Sequence, residues 1–250
     1  MVVTSQDELG RLSSTFNSMV VSIREQTEEI QRKNEENERL LHNILPGPIA
    51  DRLKQGEETI ADHFPEVTVL FADIVGFTAL SSSVSPYDLV TMLNQLFTAF
   101  DDSAHRLGIE KIKTIGDCYM AVAGLTVELD DPPVAMVEMA LEMHRAIDQF
   151  NAQHGTSLQI RIGINCGPVV AGVIGKSKFI YDLWGDTVNL ASRMESHGVA
   201  GQIHVSEAVY KRVKGRFRVE PRGDIEIKGK GPMPTYLICN HEDNPHRLST

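Results

Sequence analysis

From Leu9 onward, apolar residues fall three and four positions apart at Leu9, Leu12, Phe16, Met19, Ile23, Ile30, Leu40 and Ile44, and the polar residues Gln26, Lys33 and Asn37 complete the same seam. An unbroken 3,4 spacing with polar flanks is the heptad pattern of a parallel coiled-coil dimer; the alternative is an amphipathic helix docked on its own domain. Polar residues at core positions fix register at a cost in stability, so the middle of this seam is weak and able to switch. Leu45-Pro46-Gly47-Pro48 stops the helix, because proline cannot continue the hydrogen-bond ladder and pushes the preceding residue out of helical space. A short amphipathic piece, Ile49-Ala50-Asp51-Arg52-Leu53, leads on.

The period then changes. Val67-Thr68-Val69-Leu70-Phe71-Ala72 is apolar on both faces, the signature of a strand buried inside a sheet. The pattern predicts strands over 67–73, 109–116, 119–124 and 158–164, helices over 86–107, 133–153 and 186–197, and paired strands over 217–239 around Gly229 and Gly231. This is α+β order rather than strict βαβ alternation. The tail over 240–250 is polar and expected to fray.

Composition narrows the function classes. With 250 residues, 42% of them apolar, the chain can bury a substantial core and carry an extension. A net charge of -10 and a pI near 5.4 argue against nonspecific nucleic-acid binding, which needs a basic patch. Cys118, Cys166 and Cys239 are far apart and odd in number, which suggests a reducing compartment and no disulfide framework. No apolar run reaches the roughly 20 residues of a membrane span, and no signal peptide opens the sequence. The nine histidines lack metal-ligand spacing and read mostly as surface or cap residues, and Trp184 reads as a packing residue.

The chemistry-bearing features are two acidic turns. Phe71-Ala72-Asp73-Ile74-Val75-Gly76-Phe77 and Lys111-Ile112-Lys113-Thr114-Ile115-Gly116-Asp117 each place one carboxylate at the end of an apolar strand. Either alone is ordinary turn punctuation. As a pair they suit divalent cations, because Mg²⁺ is held by one or two carboxylates plus substrate phosphates.

On these residues, together with Tyr181-Asp182-Leu183-Trp184-Gly185-Asp186-Thr187-Val188-Asn189-Leu190-Ala191-Ser192-Arg193-Met194 and Lys228-Gly229-Lys230-Gly231, the region from Glu66 to Cys239 resembles the class III nucleotidyl cyclase catalytic domain. The resemblance implies a ferredoxin-like α+β domain that cyclises a nucleoside triphosphate with release of pyrophosphate. It places two divalent cations, Mg²⁺ or Mn²⁺, on Asp73, Asp117 and Ile74, and gives the backbone of Ile74, Val75, Gly76 and Phe77 to the phosphates. It assigns the ribose to Asn189, the developing phosphorus charge to Arg193, and the phosphate chain to Lys228 and Arg161. The base is read in this family at two positions, here Lys113 and Asp182. A lysine donor and an aspartate acceptor complement adenine, whereas a guanine reader would carry an acidic residue and a smaller group. ATP is the expected substrate, cyclic AMP the expected product.

The resemblance further implies a homodimer with two equivalent composite sites, since one chain carries residues of both half-sites. Asp7-Glu8-Leu9-Gly10-Arg11-Leu12 with Phe16-Asn17-Ser18-Met19 is similar to the last helix of a HAMP signalling module. That implies the cytoplasmic catalytic portion of a membrane-anchored receptor, with any membrane contact upstream. The expected organisation is the HAMP end and coiled-coil helix over 1–45, a transducer over 46–62, the catalytic domain over 63–241 and a flexible tail over 242–250. Competing readings are a guanylyl or mixed-specificity cyclase and a silent dimeric signalling module. No Gly-Gly-Asp/Glu-Glu-Phe loop occurs, which weakens a diguanylate cyclase reading.

Overall fold

The computed structural model of the chain describes residues 8–42, 44–175, 179–227 and 229–239. Two compact units separate at Ile60, Met1–Ile60 and Ala61–Thr250. The first holds α1 (Glu8–His42) and α2 (Gly47–Lys54). At 35 residues, α1 is about 52 Å long. Its seam residues Leu12, Phe16, Met19, Ile23, Ile30 and Leu40 are each 52–67% exposed. Proline in the first turn of α2 fits the position where a missing N–H costs nothing. Lys54 ties α2 back to Glu38 of α1 at 2.7 Å.

In the second unit the order is β1 (Ala61–Ile74), α3 (Phe77–Ser81), α4 (Pro86–Arg106), β2 (Glu110–Ile115), β3 (Cys118–Ala123), α5 (Pro132–His154), β4 (Ile160–Ile174), β5 (Ile180–Trp184), α6 (Asp186–Ser196), β6 (Ile203–Ser206), α7 (Glu207–Val213), β7 (Val219–Ile227) and β8 (Gly231–Ile238). The strands form one sheet in the order β2-β3-β1-β4-β6-β8-β7, with β5 paired to the far end of β4. Each neighbouring pair among the first four strands is antiparallel, and with α4 and α5 as crossovers they make the ferredoxin-like core.

Local chemistry explains where these elements begin. Ser85 caps α4 by accepting the Asp88 N–H at 3.1 Å, and Pro86 supplies a preset φ at the first turn. Along β1 the side chains alternate faces, so Leu70, Ala72 and Ile74 enter the core beneath α4 and α5 with Phe100, Tyr119 and Met139. Gly163 on β4 lets α6 lie directly on the sheet, because a Cβ there would fall 2.0 Å from the Glu195 backbone nitrogen.

The structure extends several elements read from the sequence. β1 begins at Ala61, inside the segment expected to be linker, because its first residues are half-exposed and a bulge separates Phe64 from Val67. β4 runs on to Ile174, ten residues past the expected end, carrying β5 as an antiparallel partner. α3, β5, β6 and α7 are four to seven residues long, too short to leave a periodic signal. Two of the nine histidines, His144 and His204, are buried, and Trp184 is 38% exposed. The expected tail beyond 239 and Lys228 lie outside the described residues. Among the described residues no helix is long and apolar enough to cross a membrane.

Candidate active site

Asp73, one residue before β1 ends, pairs in register with Arg161 of β4. The β2–β3 hairpin closes through Gly116-Asp117, with Gly116 at φ +64°, a backbone that glycine supplies at the first central position of a tight turn. This turn brings the Asp117 carboxylate beside Asp73 and the Ile74 backbone. Burial first, and the Asp73 charge second, hold the Asp117 carboxyl above the usual carboxylate range. Burial also pushes the Cys118 thiol up to about 12, so it stays neutral beside the carboxylates.

Two converging carboxylates with one pKa raised by the other form a donor set that a cation would relieve. A cation already binds there, since Arg161 Nη2 donates to Asp73 Oδ2 at 2.8 Å. The residues present therefore fit a hard divalent ion at Asp73 and Asp117, with substrate oxygens as remaining ligands. Among the described residues, no cluster of three or more His, Cys, Asp or Glu forms a complete protein cage.

Beyond Asp73 the chain bends at Gly76, at φ +74°, into the five-residue α3. Of the four backbone amides expected at the phosphates, that of Ile74 lies beside Asp117 and that of Val75 donates to Gln159 O at 2.9 Å. The other two, on Gly76 and Phe77, stand at the start of α3.

Lys113 on β2 and Asp182 on β5 form an ion pair, and Asp182 Oδ1 also accepts the Leu183 N–H at 2.8 Å. The latter bond fixes the carboxylate while leaving its other oxygen to the lysine.

α6 sorts its residues onto three sides. Leu190 and Met194 pack with Ile227, Ala191 and Glu195 lie on the sheet at Gly163, and Asn189 and Arg193, four residues apart, are exposed on a shared side. Asn189, Arg193, Asp186, Ile227, Gly229 and Lys230 line a cleft of about 500 Å³, at which Lys230 pairs with Asp186. Asp73, Asp117, Lys113 and Asp182 are not among its lining residues. One chain thus assembles three groups: the acidic pair with Arg161, the Lys113–Asp182 pair, and the α6 face.

Arg161, expected on the phosphate chain, is held by two carboxylates, Asp73 and, through Nε at 3.0 Å, Glu195. Sequence reasoning missed Glu195, Gly163 and Lys230. An acidic residue four positions after Ala191, on the sheet-facing side of a helix, and a glycine inside an apolar strand were the available signals.

Residues 60–240 match the family described as the adenylate and guanylate cyclase catalytic domain. An adenylate cyclase of Mycobacterium tuberculosis is 46% identical over 214 residues, 85% of this chain and 48% of that protein. The human atrial natriuretic peptide receptor 2 is 42% identical over 247 residues, 96% of this chain and 23% of the receptor. The chain therefore spans less than half the length of either relative. The catalytic core of a rhodopsin-guanylyl cyclase with converted specificity, solved with ATPalphaS, superposes with a TM-score of 0.69 at 44% identity, over 72% of this chain and 98% of that one. The acidic pair on its ferredoxin-like sheet, the α6 face and these similarities together place the chain in the class III adenylyl and guanylyl cyclase family.

Proposed function

We propose that the chain is an adenylyl cyclase that converts ATP to cyclic AMP and pyrophosphate as a homodimer with shared sites. The ribose 3′-oxygen attacks the α-phosphorus, the bond to the β-phosphate oxygen breaks, and the 3′-hydroxyl proton leaves to solvent. Two divalent cations, Mg²⁺ or Mn²⁺, would supply a lowered pKa for the 3′-hydroxyl and neutralise charge on the leaving phosphates.

Asp73 and Asp117, with the Ile74 backbone, hold that cationic site. Asn189 orients the ribose, and Arg193 offers a planar guanidinium to the charge growing on the transferred phosphorus. Lys228 and Arg161 serve the phosphate chain. Lys113 donates to a ring nitrogen of adenine and Asp182 accepts from its exocyclic amine.

The observation that supports ATP over GTP is the Lys113–Asp182 pair, a donor beside an acceptor at the two base-reading positions. The observation that supports shared sites is that Asn189 and Arg193 line a cleft apart from Asp73 and Asp117. A second chain under a twofold axis would bring opposite half-sites together. The exposed α1 seam supports a parallel coiled coil, and the HAMP-like start supports membrane anchoring upstream.

The test is product analysis with equimolar ATP and GTP plus Mg²⁺ or Mn²⁺ across a protein dilution series. Cyclic AMP whose specific activity falls on dilution is expected. Cyclic GMP would overturn the base assignment, and no product would favour the silent module. Mixing Asp73→Ala with Arg193→Ala chains should restore one site per heterodimer, and a lack of rescue would count against shared sites.

A further inference from the structure

Arg161 occupies a position between two carboxylates that the reaction does not require it to hold. Its Nη2 donates to Asp73 Oδ2 at 2.8 Å and its Nε to Glu195 Oε1 at 3.0 Å. Asp73 is its cross-strand partner, so the two side chains share a face of the sheet. Glu195 comes from α6, two residues beyond Arg193, and its side chain is only 10% exposed. The backbone there lies directly on the sheet, because α6 sits on Gly163 with no room for a methyl group.

We propose that Arg161 is a resident counter-ion that holds the place of the metal on Asp73 in the free enzyme, and that Glu195 is a positioning residue that keeps Arg161 beside the site once a divalent ion displaces it. The guanidinium is suited to both states because it carries five N–H donors, so Nη2 and Nε can each hold a different acceptor. The Nη2 donor competes with a divalent ion for Asp73 Oδ2. The Nε donor stays on Glu195, whose burial makes loss of its cation costly. Once freed from Asp73, Nη2 faces the acidic pair and can take a phosphate oxygen arriving with the metals. Metal entry and phosphate capture are then one exchange, in which the carboxylate trades a guanidinium for an ion and the guanidinium trades a carboxylate for a phosphate.

This inference rests on Asp73 and Asp117 as the metal carboxylates, and its test separates the two ideas. Mn²⁺ binding to nucleotide-free protein is read by electron paramagnetic resonance for the wild type, Asp73→Asn, Arg161→Gln and Glu195→Gln. Arg161→Gln removes the competitor and should bind Mn²⁺ about fivefold more tightly while losing turnover. Glu195→Gln should leave Mn²⁺ binding unchanged or weaker and raise KM for the triphosphate more than it lowers kcat, with partial recovery in Glu195→Asp. Unchanged or weaker Mn²⁺ binding by Arg161→Gln, when Asp73→Asn abolishes binding, would overturn the exchange but not the metal site. Wild-type binding by Asp73→Asn would overturn the metal assignment itself. Should Arg161→Gln not fold, arginine Nε and Nη resonances of the wild type under Mg²⁺ titration give the same answer. Arg161 should lose its Nη contact and keep the Nε bond, and an unmoved Nη signal would refute the proposal.

Discussion

Lys113 on β2 and Asp182 on β5, 69 residues apart in sequence, form an ion pair whose side chains are 32% and 17% exposed. Each partner satisfies the other in the free chain. If this is the base-reading pair proposed above, a base would have to replace both contacts at once and be complementary to both groups. A site built on paired polar groups rejects a ligand that leaves either unpaired more strongly than an apolar pocket would.

Reversing that pair should reverse base choice. Lys113→Glu with Asp182→Ser replaces the donor by an acceptor and makes room beside it, and the kcat/KM ratio of ATP to GTP is expected to fall by about 100-fold. Lys113→Glu alone would set two carboxylates against each other, so it should lose ATP turnover without gaining GTP turnover. Parallel kinetics with both nucleotides check this, and an unaltered ratio in the double variant would remove these residues from base reading.

Gly163 holds α6, and with it Asn189 and Arg193, in place. A Cβ at this position would meet the Glu195 nitrogen at 2.0 Å and the Ala191 carbonyl oxygen at 2.6 Å, both of them backbone atoms that cannot rotate away. Gly163→Ala should therefore destabilise the domain by about 1–3 kcal/mol in urea unfolding, the usual range for an overpacked core, and cut turnover at temperatures where it remains folded. A variant with wild-type stability and turnover would show that the helix has room to shift.

His204 sets a stability limit in acid. It is 0% exposed, donates its Nδ1–H to the Met194 carbonyl oxygen at 2.7 Å, and has Arg222 Nη1 at 3.2 Å from Nε2. Because a carbonyl only accepts, Nδ1 carries the proton and Nε2 faces the guanidinium as an acceptor. Burial chiefly, with the arginine charge adding, lowers its pKa to about 4 from the ordinary 6.5. Above pH ~6.5 both folded and unfolded chains hold it neutral and it contributes no pH dependence. As pH falls from there toward 4, the unfolded chain takes up the proton first and folding weakens. Between pH 7 and 4.5 this amounts to about 2–3 kcal/mol. His204→Gln should lose that much less stability over the same interval, measured by urea unfolding at both values, and an identical loss would show that His204 protonates freely when folded.

Long elements were readable from spacing alone because their periods persist. The α1 seam, α4 and α5 carry several turns of apolar residues, and the doubly apolar run before Asp73 marks a central strand. The acidic turns and the α6 motif were readable as residues, since carboxylates and an Asn-Arg pair at i, i+4 state their chemistry locally. What could not be read is what depends on pairing. The half-exposed start of β1 is a strand only because Val169, Val170, Ala171 and Gly172 of β4 bond to it. Likewise Arg161 reveals its partners only when β1 and α6 are folded against β4, 88 residues from Asp73 and 34 from Glu195 in sequence.

The stalk gives the last test. α1 exposes Leu12, Phe16, Met19, Ile23, Ile30 and Leu40 along one seam, while Gln26, Lys33 and Asn37 interrupt it, Lys33 turning aside to pair with Glu29 at 2.8 Å. If two stalks pair along this seam, its apolar ends clamp the dimer and its polar middle leaves register adjustable. A shift on the order of 1 Å between half-sites can cost about 100-fold in rate, so a stalk that sets their spacing would control turnover by a small rearrangement. Deleting residues 1–44 should raise the protein concentration needed for half-maximal specific activity and weaken the dimer in sedimentation. Lys33→Leu with Asn37→Ile should do the opposite to dimerisation, because both substitutions fill core positions with apolar side chains. If the truncated chain dimerises and turns over like the whole at low concentration, the catalytic domains pair without help and the stalk does not govern their geometry.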